Sequence, residues 1–332
     1  MKRIAAALLC AVMAASCQRT TPTQPTALTQ PTASGTPSVV ATAYLNNLIE
    51  LMRNNSINRL TIDWQAFRTE VFTAAGAAQT IADLQPAIRV AITLLRDGHS
   101  SYRSATGTTI FVAQRSCVAA PLVTLTTPSN IATVRVTSFG GSGEPATAFA
   151  RQIQDAIAAA DRDDLIGWIV DLRSNGGGNM WPMIAGVGPL LGDGPLGYFI
   201  NPLGTETPWE YRDGSSFSGG FPVTTVTPPY RLRRPQPRVA VLSNIGIASS
   251  GEATLIAFRL RPNTRSFGEA TCGLSTANAT YPLSDGGTLT LTTSVMADRA
   301  KNRFGDRITP DEVLTDQAQA IQRAITWLQT GS

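Results

Sequence analysis

The chain has 332 residues, enough to bury a full core as one large domain with a small one beside it. An apolar share of 43% and a charged share of 15% exclude both a disordered chain and a coiled coil. The formal net charge of +4 comes from scattered arginines and one short cluster, Arg231, Arg233 and Arg234, which reads as a solvated loop. No basic stripe interleaved with aromatics is present, so a nucleic-acid partner is not expected.

Lys2 and Arg3 precede the apolar run Ile4 to Ala15, which is too short to span a bilayer and has the layout of a signal peptide over residues 1–16. It closes in Ala14-Ala15-Ser16-Cys17. Small residues before a cysteine fit a bacterial lipoprotein box, with Cys17 as the lipidated residue, and they also fit a plain signal cut. Residues 17–37 are Thr, Pro, Gln and Ser with almost no apolar content, so burial cannot offset their ordering entropy and a flexible tether is expected. Gln18 after Cys17 favours outer-membrane retention in a Gram-negative cell. An exported bacterial protein is therefore expected, either a lipoprotein on the periplasmic face of the outer membrane or a periplasmic or secreted protein. Membrane contact is expected only through the anchor. Cys117 and Cys272 remain in the folded part, and both a disulfide and two buried thiols fit them.

From Ser38 to about Leu95 apolar residues recur at helical spacing, first Tyr44, Leu45, Leu48, Leu51 and Met52, then Leu84, Ile88, Ile92 and Leu95. Asp97-Gly98 stops the pattern. A small helical domain over 38–103 is expected, followed by an α/β core over 104–332. Strands are predicted at Thr109–Val112, Ala132–Val136, Gly167–Leu172, Val239–Leu242 and Thr288–Thr293. A helix carrying Phe149, Ile153 and Ile157 lies between the second and third, making a βαβ unit with a parallel pair. Further helices are predicted after Ser249 and from Asp316 to Leu328. The stretch Gly204–Gln236, rich in Gly, Pro, Ser and aromatics, is expected to be a long surface loop.

The inventory of bases is short. The chain has one histidine, His99, and after the signal segment one lysine, Lys301. A serine nucleophile needs a base within hydrogen-bond reach, and His99 sits in a turn where functional side chains are often placed. The nucleophile candidate is Ser249, in Ile247-Ala248-Ser249-Ser250-Gly251-Glu252. A buried strand feeds a small-residue turn that feeds a helix, so the free N–H groups and dipole of the helix start would face developing negative charge. The competing reading makes Ser249 or Ser250 a helix cap, with Glu252 in the first turn. A third segment, Asp171-Leu172-Arg173-Ser174-Asn175-Gly176-Gly177-Gly178, runs a strand into three glycines. It lacks the residues of a phosphate-binding loop and suits an oxyanion donor better. No cysteine or histidine spacing suggests zinc.

Together these segments resemble the C-terminal processing (tail-specific) serine peptidase family, in its tricorn-core and interphotoreceptor-retinoid-binding-module branch. The strand-and-glycine signature, the Ser249 turn, Phe267-Gly268-Glu269-Ala270-Thr271-Cys272-Gly273 and Ile308-Thr309-Pro310-Asp311 match its motifs in order. The resemblance implies a ClpP/crotonase-like spiral α/β core preceded by helices, with the site in a cleft between them. Relatives with a serine–lysine dyad carry lysine where this chain has Leu274, so that dyad does not transfer. The tricorn-like branch uses a histidine, and Asp97-Gly98-His99-Ser100 matches it. The core begins too soon after His99 to admit a PDZ domain. Phe304 stands where relatives place a Gln or Glu, so the residue orienting the imidazole is open, with Asp306 as the candidate.

The expected function is an exported serine peptidase acting on extended peptides or protein C-termini. Ser249 is the nucleophile, His99 the general base, and the N–H groups of Gly178 and Ser250 the oxyanion donors. Its partner is a peptide or protein substrate, and neither a metal nor an organic cofactor is implied. A non-catalytic binding module of the same fold and an acyl-ester hydrolase are the alternatives.

Overall fold

A computed structural model describes residues 35–112 and 115–331. The signal segment, Cys17 and most of the tether lie outside the described residues. The N-terminal part is helical: α1 (Val39–Asn55), α2 (Trp64–Ala75) and α3 (Gln85–Leu94), the last entered through a short 3-10 turn. Ser38 Oγ and Asp63 Oδ1 accept from backbone N–H groups at the starts of α1 and α2, satisfying donors that a helix start leaves free. Leu45, Leu48, Met52, Leu84, Ile88 and Leu95 are completely buried, as their spacing predicts.

After α3 the chain enters β1 (Ser101–Arg103) and β2 (Thr109–Phe111), then the predicted unit β3 (Ile131–Arg135), α4 (Glu144–Ala160) and β4 (Gly167–Asp171). Helix α5 (Met180–Leu191) follows, then four strands: β5 (Gly194–Ile200), β6 (Glu206–Arg212), β7 (Ser215–Ser218) and β8 (Phe221–Thr225). The closing run is β9 (Val239–Ser243), α6 (Ser250–Phe258), β10 (Thr264–Gly268), β11 (Thr276–Pro282), β12 (Thr288–Asp298), β13 (Glu312–Val313) and α7 (Gln317–Thr330).

Two sheets result. One is parallel, in the order β13-β10-β9-β4-β3. Every residue of β4 and β9 is buried, as expected of central strands covered on both faces. Side-chain alternation splits them cleanly. Trp168, Val170, Val239 and Val241 join a cluster with α4, α5 and α6, while Ile169, Ala240 and Leu242 pack on Ile325 and Leu328 of α7. The second sheet is antiparallel, in the order β2-β1-β12-β5-β6-β7-β8, with β11 on the far side of β12. The N-terminal helices share one cluster with it through Tyr102, Ile110, Leu283, Leu289 and Leu291, so their packing takes in strands well beyond residue 103. A helical N-terminal region on an α/β core is thus the observed fold class.

The expected loop over Gly204–Gln236 is not a loop. It holds the meander β6–β8, which extends the antiparallel sheet. Its turns are Asp213-Gly214 (φ 43° and 84°) and Gly219-Gly220 (φ 56° and 86°). Two consecutive positive φ values are what two-residue hairpin turns require, and they explain the glycine content taken for loop. Within β6 the aromatics alternate inward, leaving Trp209 fully buried and Tyr211 nearly so.

Trp209 stacks on Phe199 at 5.8 Å between ring centroids. Trp209→Ala is expected to lower the free energy of unfolding by about 3–5 kcal/mol in urea titrations, with Trp209→Phe retaining most of it.

Candidate active site

Ser249 lies between the buried strand β9 and the start of α6, with φ 53° and ψ −120°. A non-glycine residue in this region carries strain on the order of 1–3 kcal/mol, which persists only where the surroundings enforce it. The same sharp strand-to-helix turn presents the serine of nucleophile elbows. The cap reading holds in part, since Ser249 occupies the cap position of α6. The Glu252 carboxylate takes the Ser249 N–H at 2.9 Å.

Glu252 does more than close a helix turn. Its side chain is fully buried and also accepts from Thr271 Oγ1 at 2.5 Å, Gly273 N–H at 2.9 Å and Leu274 N–H at 2.7 Å. Burial pushes its pKa up, and the four donors oppose that shift. One carboxylate therefore joins the Ser249 turn to residues 271–274. The Cys117–Cys272 disulfide, the pairing left open in the sequence, ties the same segment to residues near 117.

The glycine loop packs directly on the Ser249 turn. A Cβ at Gly177 would lie 2.7 Å from Ala248 O and 2.9 Å from both Ser249 Cβ and Ser250 N, so only glycine permits this approach. Ala248 N–H donates to Asn175 O at 3.0 Å, and Ser250 Oγ donates to Gly178 O at 2.7 Å. Among the described residues the N–H groups of Gly178 and Ser250 donate to no protein acceptor. Gly178, Ser249 and Ser250 all line one cavity of about 620 Å³.

His99 arrives from the helical side. Asp97 accepts from the N–H groups of His99 (2.9 Å) and Ser100 (2.7 Å) and from the Ser100 hydroxyl (2.6 Å), which fixes the turn. Thr292 N–H on β12 donates to Ser100 Oγ, and the Asn278 amide on β11 donates to His99 O. The imidazole Nδ1 lies 2.7 Å from Thr276 Oγ1. Thr276, the ring's partner, lines the same cavity as Ser249, while His99 itself is not among the residues lining it. No hydrogen bond joins the ring to Ser249 Oγ among the described residues. Burial lowers the His99 pKa, with Asp97 acting in the opposite direction.

Asp306, the candidate for orienting the imidazole, stands elsewhere. Its carboxylate pairs with Arg115 and accepts the Arg307 N–H, and these contacts hold its pKa low. It borders a second cavity of about 430 Å³ with Asp97 and Thr276 but does not bond the ring. The partner found on Nδ1 is Thr276. Sequence reasoning missed it because a threonine opening an alternating strand carries no local sign of a histidine 177 residues away. Glu252 was read as helical for the same reason, since three of its four donors come from remote or turn backbone rather than a recognisable partner side chain.

Comparisons with known proteins bear on the family and the fold. The family model described as peptidase family S41 matches residues 130–314. The chain is 29% identical over 265 residues to the nisin-resistance protein of Lactococcus lactis subsp. lactis, covering 79% of this chain and 77% of that protein. It is 28% identical over 164 residues to the carboxy-terminal processing protease CtpA of Bacillus subtilis, covering 49% and 30% of the two chains. Among solved structures, a lipoprotein from Streptococcus agalactiae superposes with a TM-score of 0.69 at 20% identity, covering 89% of this chain and 98% of that one.

Glu252→Gln keeps the shape but turns one acceptor into a donor among donors. Its expected cost is about 1–3 kcal/mol in unfolding free energy, read by urea titration with the disulfide intact.

Proposed function

The chain belongs to peptidase family S41 and is a serine-type peptidase, and from that premise we propose that Ser249 and His99 carry out its chemistry on exported peptide substrates. The observation that carries this reading is the strained Ser249 turn, opening on the cavity whose wall residue Thr276 holds the only histidine of the chain.

In this mechanism Ser249 Oγ attacks the scissile carbonyl carbon as His99 Nε2 takes the hydroxyl proton. The carbonyl oxygen becomes the oxyanion, stabilised by the N–H groups of Gly178 and Ser250, one from the glycine loop and one from the first turn of α6. Collapse breaks the C–N bond, and His99 returns its proton to the leaving amine. Water then attacks the acyl-enzyme, again giving up a proton to His99, and Ser249 is released. The packing of Gly177 on Ser249 keeps the two donors and the nucleophile on a common frame.

An extended peptide suits the site. Strand β11 pairs only with β12 among the described residues and so offers a free edge beginning at Thr276. Extended peptides add to such edges through main-chain hydrogen bonds. The cavity wall combines Trp181, Phe199 and Met296 with the hydroxyls of Thr280, Thr293 and Ser294, and none of its residues is charged. The likeness to CtpA supports cleavage near a carboxy terminus, and the likeness to a nisin-resistance protein makes nisin a substrate to test beside a peptide panel. Export is supported by the leader-like first 16 residues and by a disulfide, which persists in oxidising compartments. Ala14-Ala15-Ser16-Cys17 supports anchoring through a lipidated Cys17, beside the alternative of a plain signal cut. Among the described residues no helix is long and apolar enough to cross a membrane.

A fluorophosphonate probe is expected to label the wild-type protein at Ser249, and Ser249→Ala and His99→Ala are expected to abolish labelling and peptide cleavage together. Cleavage surviving in Ser249→Ala overturns the assignment. The pH dependence is also set: His99 must be neutral to act, and burial lowers its pKa. The acid limb of kcat/KM should therefore lie below the ordinary histidine value of about 6.5, activity falling as pH drops through it.

A further inference from the structure

Building on the Ser249–His99 reading, we propose that Thr276 is the positioning residue of the imidazole, a neutral hydroxyl in the place that a carboxylate takes in a Ser-His-Asp arrangement.

The geometry is specific. Thr276 Oγ1 lies 2.7 Å from His99 Nδ1, and Thr276 is only 9% exposed. Its backbone is fixed by pairing with Val295 across β11 and β12 and by an N–H bond to Leu274 O at 2.8 Å. A hydrogen bond from Nδ1–H to this oxygen leaves the Nε2 lone pair free, which is the tautomer a general base needs. The neighbouring carboxylates are otherwise engaged. Asp97 is taken by the His99 and Ser100 N–H groups and the Ser100 hydroxyl, Glu252 by four donors, and Asp306 by Arg115 and the Arg307 N–H. The charged residues lining the second cavity with Thr276 are Arg96, Asp97, Arg115 and Asp306. None of these four bonds the ring.

A hydroxyl and a carboxylate do this work differently. Aspartate accepts only, so it enforces one tautomer and stabilises the imidazolium formed during attack. Threonine can donate or accept, so it fixes the plane of the ring and adds no full charge beside it. The imidazole then stays neutral to lower pH, at the expense of weaker support for its charged form. Thr276 is also the first residue of the free edge strand, so the strand bordering the cavity carries the group that holds the base.

The test is the second-order rate of fluorophosphonate labelling at Ser249 against pH, in the full-length protein and in Thr276→Val, Thr276→Ser and Thr276→Asp. Near-ultraviolet circular dichroism and thermal melting check the fold. Thr276→Val is expected to slow labelling about 10- to 100-fold, a fraction of what a general base supplies. Thr276→Ser should recover most of that loss. Thr276→Asp should move the acid limb up by about one pH unit or more, as an opposite charge beside the ring demands. A purely structural threonine predicts no loss of rate in a folded Thr276→Val and so nothing for Thr276→Ser to recover. Wild-type rate and limb in Thr276→Val, or an unmoved limb in Thr276→Asp, overturn the proposal. Should Thr276→Val fail to fold, the Ser and Asp variants decide by the same limb. If the wild-type protein is not labelled at Ser249, the nucleophile assignment itself falls; if it is labelled and the Thr276 variants match it, only the role of Thr276 falls.

Discussion

The arrangement around the site depends on one buried carboxylate. Glu252 stands in the first turn of α6, where the helix dipole favours negative charge, and it accepts four hydrogen bonds from Ser249, Thr271, Gly273 and Leu274. An uncompensated carboxylate at full burial would be untenable, so each donor is needed to keep it there. In return the carboxylate joins two pieces of chain distant in sequence: the Ser249 turn at the start of α6 and the turn before β11. The disulfide at Cys272 acts on the same turn from outside. The six residues from Thr271 to Thr276 thus touch Glu252 at one end and His99 at the other.

That clamp also accounts for the backbone of Ser249. A positive φ at a serine is unfavourable, and nothing local to Ala248-Ser249-Ser250 would hold it. The constraint comes from the Glu252 bond on the Ser249 N–H and from Gly177, whose missing side chain lets the glycine loop press on the turn. A second glycine contact reinforces it, since a Cβ at Gly251 would fall 2.1 Å from Asn175 O. The strain is held by tertiary packing, at a residue that lines the cavity with Gly178 and Ser250, whose N–H groups find no protein acceptor among the described residues. Stability spent on backbone geometry is a recurring feature of sites that must be preorganised.

Much of this was legible in the sequence wherever the signal is local. The spacing of Leu45, Leu48 and Met52, the alternation in β4 and β9, and the strand-turn-helix around Ser249 are periodicities that one segment contains by itself. The meander β6–β8 was misread because glycine and proline content outweighed the alternation of Trp209 and Tyr211. The Asp213-Gly214 and Gly219-Gly220 pairs were in fact the hairpin signals. Contacts made by remote partners were not legible. Nothing near Thr276 announces a histidine on the other side of the fold, and with Phe304 at the motif position nothing near Asp306, the candidate, announces its partner Arg115, 191 residues away in sequence. Hydrogen bonds of that range follow from topology, which pattern alone does not supply.

The topology has one consequence for how the site is assembled. His99 belongs to the side of the molecule built by α1–α3, and Ser249 to the side built by the parallel sheet, and these sides have separate apolar clusters. Strand β12 reaches into both. Its Leu289 and Leu291 are buried with the N-terminal helices, and its Met296 is buried with α5 and α6. Along one edge it pairs first with β1, directly after the His99 turn, and then with β5, while β11 runs along the other. Eleven residues of continuous strand therefore run from one cluster to the other. Strand geometry is stiff along its length, so β12 ties the two clusters to one frame. Thr276, paired to Val295 on that strand, is where this rigidity meets the imidazole.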